Sequence, residues 1–332
     1  MATSLDDFLS EWQNDSPYVH VQTSGSTGAP KPMLVEKRRM LASARITCDF
    51  LHLQPGDTAL LCMSLDYIAG KMMVIRSLER GLKLIEVEPS GHPLSTIRSA
   101  LPLGSAKNYK LDFAAMVPLQ VYNSLQVPEE RERLMQIRHL IIGGGAIDDE
   151  MAAQLKSFPH AVWSTYGMTE TLSHIALRRL SGPEASEWYT PFPSVKVSLS
   201  DEGCLVIDAP EVCSERLITN DIADLSLGPG PSDRFRILGR KDNVICSGGI
   251  KIQAEELERQ LHPHLRVPYL ISKRPDAKFG EVVVLLTEGS VDEARQVCER
   301  VLPKFHQPRA YMHVDQIPLT ATGKPQRWKI PV

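Results

Sequence analysis

Leu140-Ile141-Ile142-Gly143-Gly144-Gly145-Ala146-Ile147-Asp148 runs from an apolar triplet into three glycines and then an aspartate of helix-capping type. The triplet reads as a buried strand, the glycines as a tight loop, and Asp148 as the N-cap of a following helix. The same order recurs on both sides. Residues 37–51 place Met40, Leu41, Ala44, Cys48 and Leu51 at helical spacing, Thr58-Ala59-Leu60-Leu61-Cys62-Met63 reads as a buried strand, and residues 68–80 as a helix stopped by Gly81. Leu82-Lys83-Leu84-Ile85-Glu86-Val87 is again strand-like, and Ala161-Val162-Trp163 leads into a further loop and helix. Strand–loop–helix units in series predict a layered α/β domain with its ligand loops at the carboxyl ends of the strands.

The character changes further on. Residues 195–199 and 204–207 read as a hairpin across Ser200-Asp201-Glu202-Gly203, and residues 227–232 as a loop by composition. After Gly239-Arg240 the rhythm restarts. Strands are expected at 244–246, 269–272, 282–286 and 313–317, with helices at 254–261 and 292–302. The expected organisation is therefore a large layered α/β domain with a β-rich segment over residues 1–239, and a small α+β domain over 240–332.

Composition narrows the function classes. The chain has 332 residues, 42% hydrophobic and 23% charged, with a net charge of −3, which favours neither nucleic acid nor an acidic membrane surface. The six cysteines are scattered without a C-x-x-C pair, the pattern of reduced thiols rather than a disulfide frame or zinc site. Residues 1–7 carry two acids and lack a basic-then-apolar signal, and no apolar run approaches the roughly 20 residues that span a bilayer. A cytoplasmic protein is expected.

Chemistry concentrates in five segments. Thr23-Ser24-Gly25-Ser26-Thr27-Gly28-Ala29-Pro30-Lys31 follows the strand-like Tyr18-Val19-His20-Val21. Its hydroxyls, converging N–H groups and terminal lysine suit polyphosphate oxygens, although such a tract also serves as a connector. Only two residues separate its glycines, so it is not a G-x-x-x-x-G-K-[ST] loop. In Thr165-Tyr166-Gly167-Met168-Thr169-Glu170, the tyrosine can lie on a purine, Thr169 can reach a phosphate and Glu170 can ligate Mg²⁺; a buried tyrosine and a helix-start glutamate is the plainer reading. The small residues Gly143, Gly144, Gly145 and Ala146 let a flat base approach the backbone, though glycine triplets also make simple turns. Asp221 can grip ribose hydroxyls with Arg240 some twenty residues on, and Lys324 sits in Thr320-Ala321-Thr322-Gly323-Lys324 near the C-terminus.

In order and residue type these segments resemble the adenylate-forming superfamily of acyl- and aryl-CoA synthetases. Residues 23–32, 164–171, 219–225, 239–258 and 318–327 look like its signature blocks. Within it, Met116-Val117-Pro118-Leu119-Gln120 and residues 166–176 are most similar to the o-succinylbenzoate–CoA ligases of menaquinone biosynthesis. The resemblance implies two steps, formation of an acyl-adenylate from MgATP and a carboxylic acid, then transfer of the acyl group to coenzyme A. It implies that Thr23, Ser24, Gly25, Ser26, Thr27, Gly28 and Lys31 hold the leaving phosphates. Thr165, Tyr166, Gly167 and residues 143–146 would frame adenine, and Asp221 and Arg240 the ribose. Thr169, Glu170 and Lys324 would be catalytic, with Glu170 on Mg²⁺. Asp242 would be the hinge of a mobile C-terminal domain that brings Ser247, Gly248 and Gly249 to the pantetheine channel. For a second substrate carboxylate, Lys71 and Ser173 are the candidates.

Two departures stand out. Family members carry a long segment before the phosphate loop where 22 residues stand here, so a shortened N-terminal region is expected. Leu65-Asp66-Tyr67 occupies the place where many members have a histidine. Other readings remain open: a different aryl or acyl acid, a carrier protein as acceptor, or a non-catalytic nucleotide-binding regulator. The expected partners are small molecules only, with a homodimer left open.

Overall fold

The computed structural model describes residues 3–22, 32–97, 110–226 and 234–319, together with Pro325 and Arg327. The phosphate-loop candidates at 23–31, the loop at 227–232 and Lys324 lie outside the described residues.

Strands β1 (Tyr18–Gln22) and β2 (Pro32–Glu36) pair antiparallel, with Tyr18 opposite Glu36 and Gln22 opposite Pro32. They flank the glycine-rich segment, and Val19, Val21 and Val35 turn inward. The main sheet follows: β3 (Thr58–Leu61), β4 (Lys83–Glu86), β5 (Phe113–Met116), β6 (His139–Ile142), β7 (Ala161–Gly167), β8 (His174–Arg179) and β9 (Thr190–Pro191). Their spatial order is β4-β3-β5-β6-β7-β8-β9; the first five are parallel and the last two antiparallel.

The near-continuous apolar runs of these strands follow from burial on both faces. Ala59, Leu61, Phe113, Ala115 and Ile141 point into one core, while Leu60, Cys62, Ala114, Met116, Leu140 and Ile142 point into the other. The first core is covered by α1 (Leu5–Gln13), α2 (Lys37–Phe50) and α3 (Ile68–Arg80), through Phe8, Met40, Ala44, Met72 and Met73. The second is lined from α4 (Pro93–Thr96), α5 (Pro118–Gln126), α6 (Pro128–Met135) and α7 (Asp149–Lys156). As expected, Asp148 caps α7 by accepting from the Met151 N–H, and Gly81 ends α3 at φ 65°, a left-handed position suited to a residue without Cβ.

An antiparallel meander comes next, β10 (Lys196–Leu199), β11 (Cys204–Asp208), β12 (Leu217–Ser226) and β13 (Arg234–Arg240), and it contains the expected hairpin. The last sheet holds β14 (Val244–Ser247), β15 (Ile250–Gln253), β16 (Tyr269–Asp276), β17 (Gly280–Thr287) and β18 (Ala310–His313), packed with α8 (Ala254–Leu261) and α9 (Val291–Val301). Its apolar clusters draw on residues 245–317 alone.

Two expectations are corrected. No helix follows residues 161–163. The strand extends to Gly167, a 3₁₀ turn occupies Thr169–Thr171, and the chain returns as antiparallel β8. Thr171 Oγ1 accepts from the Met168 N–H and donates locally to backbone oxygens, which closes the turn before an α-helix can propagate. The last strand spans Ala310–His313 rather than 313–317, with Tyr311 beside Leu285 in a parallel pair.

Two predictions follow from this packing. A Cβ on Gly167 would stand 2.1 Å from the Ser173 carbonyl oxygen. Gly167→Ala is therefore expected to cost about 1–3 kcal/mol in denaturant unfolding. Burial, reinforced by Arg138, lowers the His139 pKa to about 4 from 6.5. The unfolded chain then binds more protons than the folded one between those values, so stability is full above pH 6.5 and falls as pH drops toward 4. In Tm measurements across that window, His139→Gln should flatten the fall.

Candidate active site

The main sheet reverses its order between β3 and β5, and ligands of open α/β sheets sit outside the carboxyl ends of the strands at such a point. The glycine triplet leaves the carboxyl end of β6, one strand further along. The Gly143 N–H donates to the Met116 carbonyl at 3.1 Å, and a Cβ on Gly143 would lie 2.4 Å from Thr165 Oγ1. Gly145 backs onto Pro118, 3.1 Å from where its Cβ would stand. Beside this floor, β7 delivers Tyr166 and Gly167, and the 3₁₀ turn delivers Thr169 and Glu170. A Mg²⁺ ion held mainly by nucleotide phosphates needs only one or two protein carboxylates. Glu170, exposed in that turn, fits that need. Among the described residues no group of three or more His, Cys, Asp or Glu could hold a metal by itself.

Three of the expected residues meet across two sheets. The Tyr166 hydroxyl donates to Asp221 Oδ2 at 2.6 Å, and Arg240 Nη1 donates to Asp221 Oδ1 at 3.2 Å. Asp221 and Arg240 face each other in the β12–β13 register. Tyr166 also sets its ring edge-on to Phe235 at 5.1 Å, and Phe235 stacks on Tyr189. Burial, then the Asp221 carboxylate, drives the Tyr166 pKa far above 10, so the phenol keeps its proton. Arg240 continues the network, donating through Nη2 to Asp242 at 3.0 Å, while Asn220 holds the same carboxylate at 3.3 Å. Gln253 Nε2 donates to the Arg240 carbonyl at 2.9 Å, tying this point to the last sheet. Ser247, Gly248 and Gly249 form the β14–β15 turn, with Gly248 and Gly249 at φ 58° and 85°. The described contacts hold that turn to Phe279 rather than to the Tyr166–Asp221–Arg240 group.

Helix α3 carries two buried cations with different surroundings. Lys71 Nζ donates to the His20 carbonyl at 2.8 Å, stands 3.6 Å from the Glu11 carboxylate and lies 5.0 Å from the centre of the Phe8 ring. It ties α1 and β1 to α3. Arg76, only 2% exposed, has no carboxylate in ion-pair range among the described residues. Its Nη2 donates to Ser173 Oγ at 2.7 Å, and its Nε has no partner. Burial lowers its pKa to about 10, so it remains a cation at neutral pH. Next to it, His174 contacts Ser173 Oγ at 3.2 Å and Thr47 Oγ1 at 3.0 Å. Burial and then Arg76 hold its pKa well below 6.5, leaving it neutral. Ser173 was expected from sequence and Arg76 was not. The available signal was a guanidinium three and four residues past Met73 and Met72, on an apolar helix face. Asp66, in the Leu65-Asp66-Tyr67 stretch noted above, accepts from the Thr3 N–H and hydroxyl at 2.9 and 2.7 Å, contacts that lower its pKa.

Residues 5–212 match the model of the AMP-binding enzyme family. The 2-succinylbenzoate–CoA ligase of Salmonella typhimurium is 27% identical over 321 residues, covering 90% of this chain and 64% of that protein. The chain thus spans just under two thirds of that relative's length. The crystal structure of an acyl-CoA synthetase (AMP-forming)/AMP-acid ligase II-like protein from Dyadobacter fermentans is 31% identical. It covers 96% of this chain and 90% of its own, with a TM-score of 0.64. The o-succinylbenzoate coenzyme A synthetase of Bacillus subtilis, solved with ATP and magnesium, shares the fold at 21% identity. Its TM-score is 0.75, covering 93% of this chain and 69% of the other. With a family model covering well over half of its residues, this chain belongs to the AMP-binding enzyme family.

Proposed function

We propose that the protein is an AMP-forming acid–thiol ligase that adenylates a carboxylic acid, best matched by o-succinylbenzoate, and transfers the acyl group to coenzyme A. The observation that carries this reading is the meeting of Tyr166, Asp221 and Arg240 at the carboxyl edge of the sheet, beside the Gly143–Ala146 floor and Glu170. An adenine can lie between the small floor residues and the Tyr166 ring, and a ribose diol can replace the hydroxyl and guanidinium now on Asp221. In the first step a substrate carboxylate oxygen attacks the α-phosphorus of ATP, and pyrophosphate leaves. In the second, the thiolate of coenzyme A attacks the acyl carbon and AMP leaves. Glu170 would hold Mg²⁺, which would neutralise the phosphates. Thr23 to Lys31 and Lys324 take their roles from the family likeness, as phosphate loop and as the cation on the developing charge.

Arg76 supports a diacid substrate. A buried cation without a counter-charge is costly, and a second substrate carboxylate would supply one. The named function of the Salmonella relative agrees with a dicarboxylate. Separate apolar clusters over residues 245–317 support a boundary near Gly239-Arg240, with Asp242 as hinge and the Ser247-Gly248-Gly249 turn as the face presented to pantetheine. Among the described residues no helix is long and apolar enough to cross a membrane.

Three outcomes test the reading. A panel of acids in acid-dependent ATP–pyrophosphate exchange should place o-succinylbenzoate first; nucleotide binding without exchange on any acid would overturn the enzyme. Arg76→Met should lower kcat/KM for o-succinylbenzoate about 10- to 100-fold, while benzoate, lacking the second carboxylate, changes little. Lys324→Ala should abolish exchange yet spare thioester formation from supplied acyl-adenylate.

A further inference from the structure

The segment that carries Lys324 is bracketed by two fastenings. On its near side, the Ile317 side chain is buried with Leu270 and Leu286, and the Ile317 N–H donates to Glu288 Oε1 at 2.8 Å. Leu319 then bridges Pro325 antiparallel. On the far side, Arg327 closes a fork on Glu258 of α8. Its Nη1 donates to Oε1 at 3.0 Å and its Nη2 to Oε2 at 2.7 Å.

The same pair grips the open edge of the last sheet. Strand β16 is an outer strand, and at Ile271 its N–H donates to Glu258 Oε1 at 2.8 Å while its carbonyl accepts from Arg327. The Tyr269 hydroxyl donates to the Glu258 carbonyl at 2.6 Å and fixes the helix turn from which the carboxylate projects. A half-buried ion pair adds little net stability once desolvation is counted, but a two-pronged guanidinium–carboxylate fork defines position and orientation. Arg327 follows Lys324 by three residues.

We propose that the Glu258–Arg327 fork, together with the Leu319–Pro325 bridge, is a positioning device that sets the register of Lys324 for the adenylation step. The proposal rests on the ligase reading above, in which Lys324 is the adenylating cation. Neither Glu258 nor Arg327 touches substrate; both act through the backbone leading to the lysine.

The test uses the full chain with Arg327→Met, Arg327→Lys, Glu258→Gln and Lys324→Ala, and o-succinylbenzoate as the acid. Four quantities are read: kcat and KM for ATP in pyrophosphate exchange, thioester formation from supplied o-succinylbenzoyl-adenylate, and Tm. Misplacement of a reacting group by about 1 Å can cost roughly 100-fold. Arg327→Met and Glu258→Gln are accordingly expected to lose about 30- to 100-fold in exchange kcat, with KM for ATP and the thioester step within about threefold. Arg327→Lys, which keeps the charge and loses the fork, should fall between them and wild type. Unchanged exchange, or an equal loss in both half-reactions, overturns the positioning role. If Arg327→Met does not fold, the ratio of half-reactions in Arg327→Lys decides by the same criterion. Lys324→Ala separates the two ideas: full exchange in that variant removes the ligase reading itself, whatever the fork variants do.

Discussion

The five parallel strands of the main sheet bury apolar side chains on both faces, so their backbone edges and loops hold nearly all the polar chemistry they can offer. A residue moved one position along β5 or β6 would change cores, from the α1–α3 side to the α4–α7 side. This two-sided burial fixes the strand register, and with it the height at which each strand releases its chain. Gly143 backs onto Thr165 and Gly167 onto Ser173, where an added Cβ would stand 2.4 and 2.1 Å away, so both release points call for glycine. The site is a consequence of that constraint.

A second constraint operates between sheets. Tyr166 leaves the main sheet and reaches Asp221 of the meander, Arg240 reaches the same carboxylate from β13, and Gln253 reaches the Arg240 carbonyl from the last sheet. Two sheets thus meet at one acidic side chain, and the third is tied to the backbone of its arginine partner. The phenol is held protonated there by burial and by the carboxylate it serves, so it acts as a fixed donor rather than an acid. Asp242, gripped by Arg240 and Asn220, lies one step along the same chain of contacts. The Asp221 and Asp242 carboxylates are therefore joined through one guanidinium.

Helix α3 illustrates how burial sorts similar residues. Lys71 and Arg76 are both cations on an otherwise apolar helix, and both are buried. Lys71 is satisfied by Glu11 and a backbone carbonyl and fastens the N-terminal helix. Among the described residues, Arg76 is left with Ser173 and a neutral histidine. Sequence spacing makes the two alike; the neighbours supplied by α1 and by the turn after β7 make them different.

Much of this was legible in the chain itself. Apolar runs of four to six residues, glycine stops and capping aspartates placed β3, α3, β6 and α7 because local periodicity and caps are short-range effects. The order of the segments that carry Tyr166, Glu170, Asp221, Arg240 and Lys324 pointed to the family by resemblance, because short motifs are visible in the chain itself. The turn and reversal after Gly167 were not legible, because Thr171 competes with helix formation through side-chain hydrogen bonds that only the folded loop defines. Nor was the isolation of Arg76, or the fork between Glu258 and Arg327, residues separated by 69 positions. Pairing at such range depends on which elements pack together, and the local pattern of amino acids does not encode it.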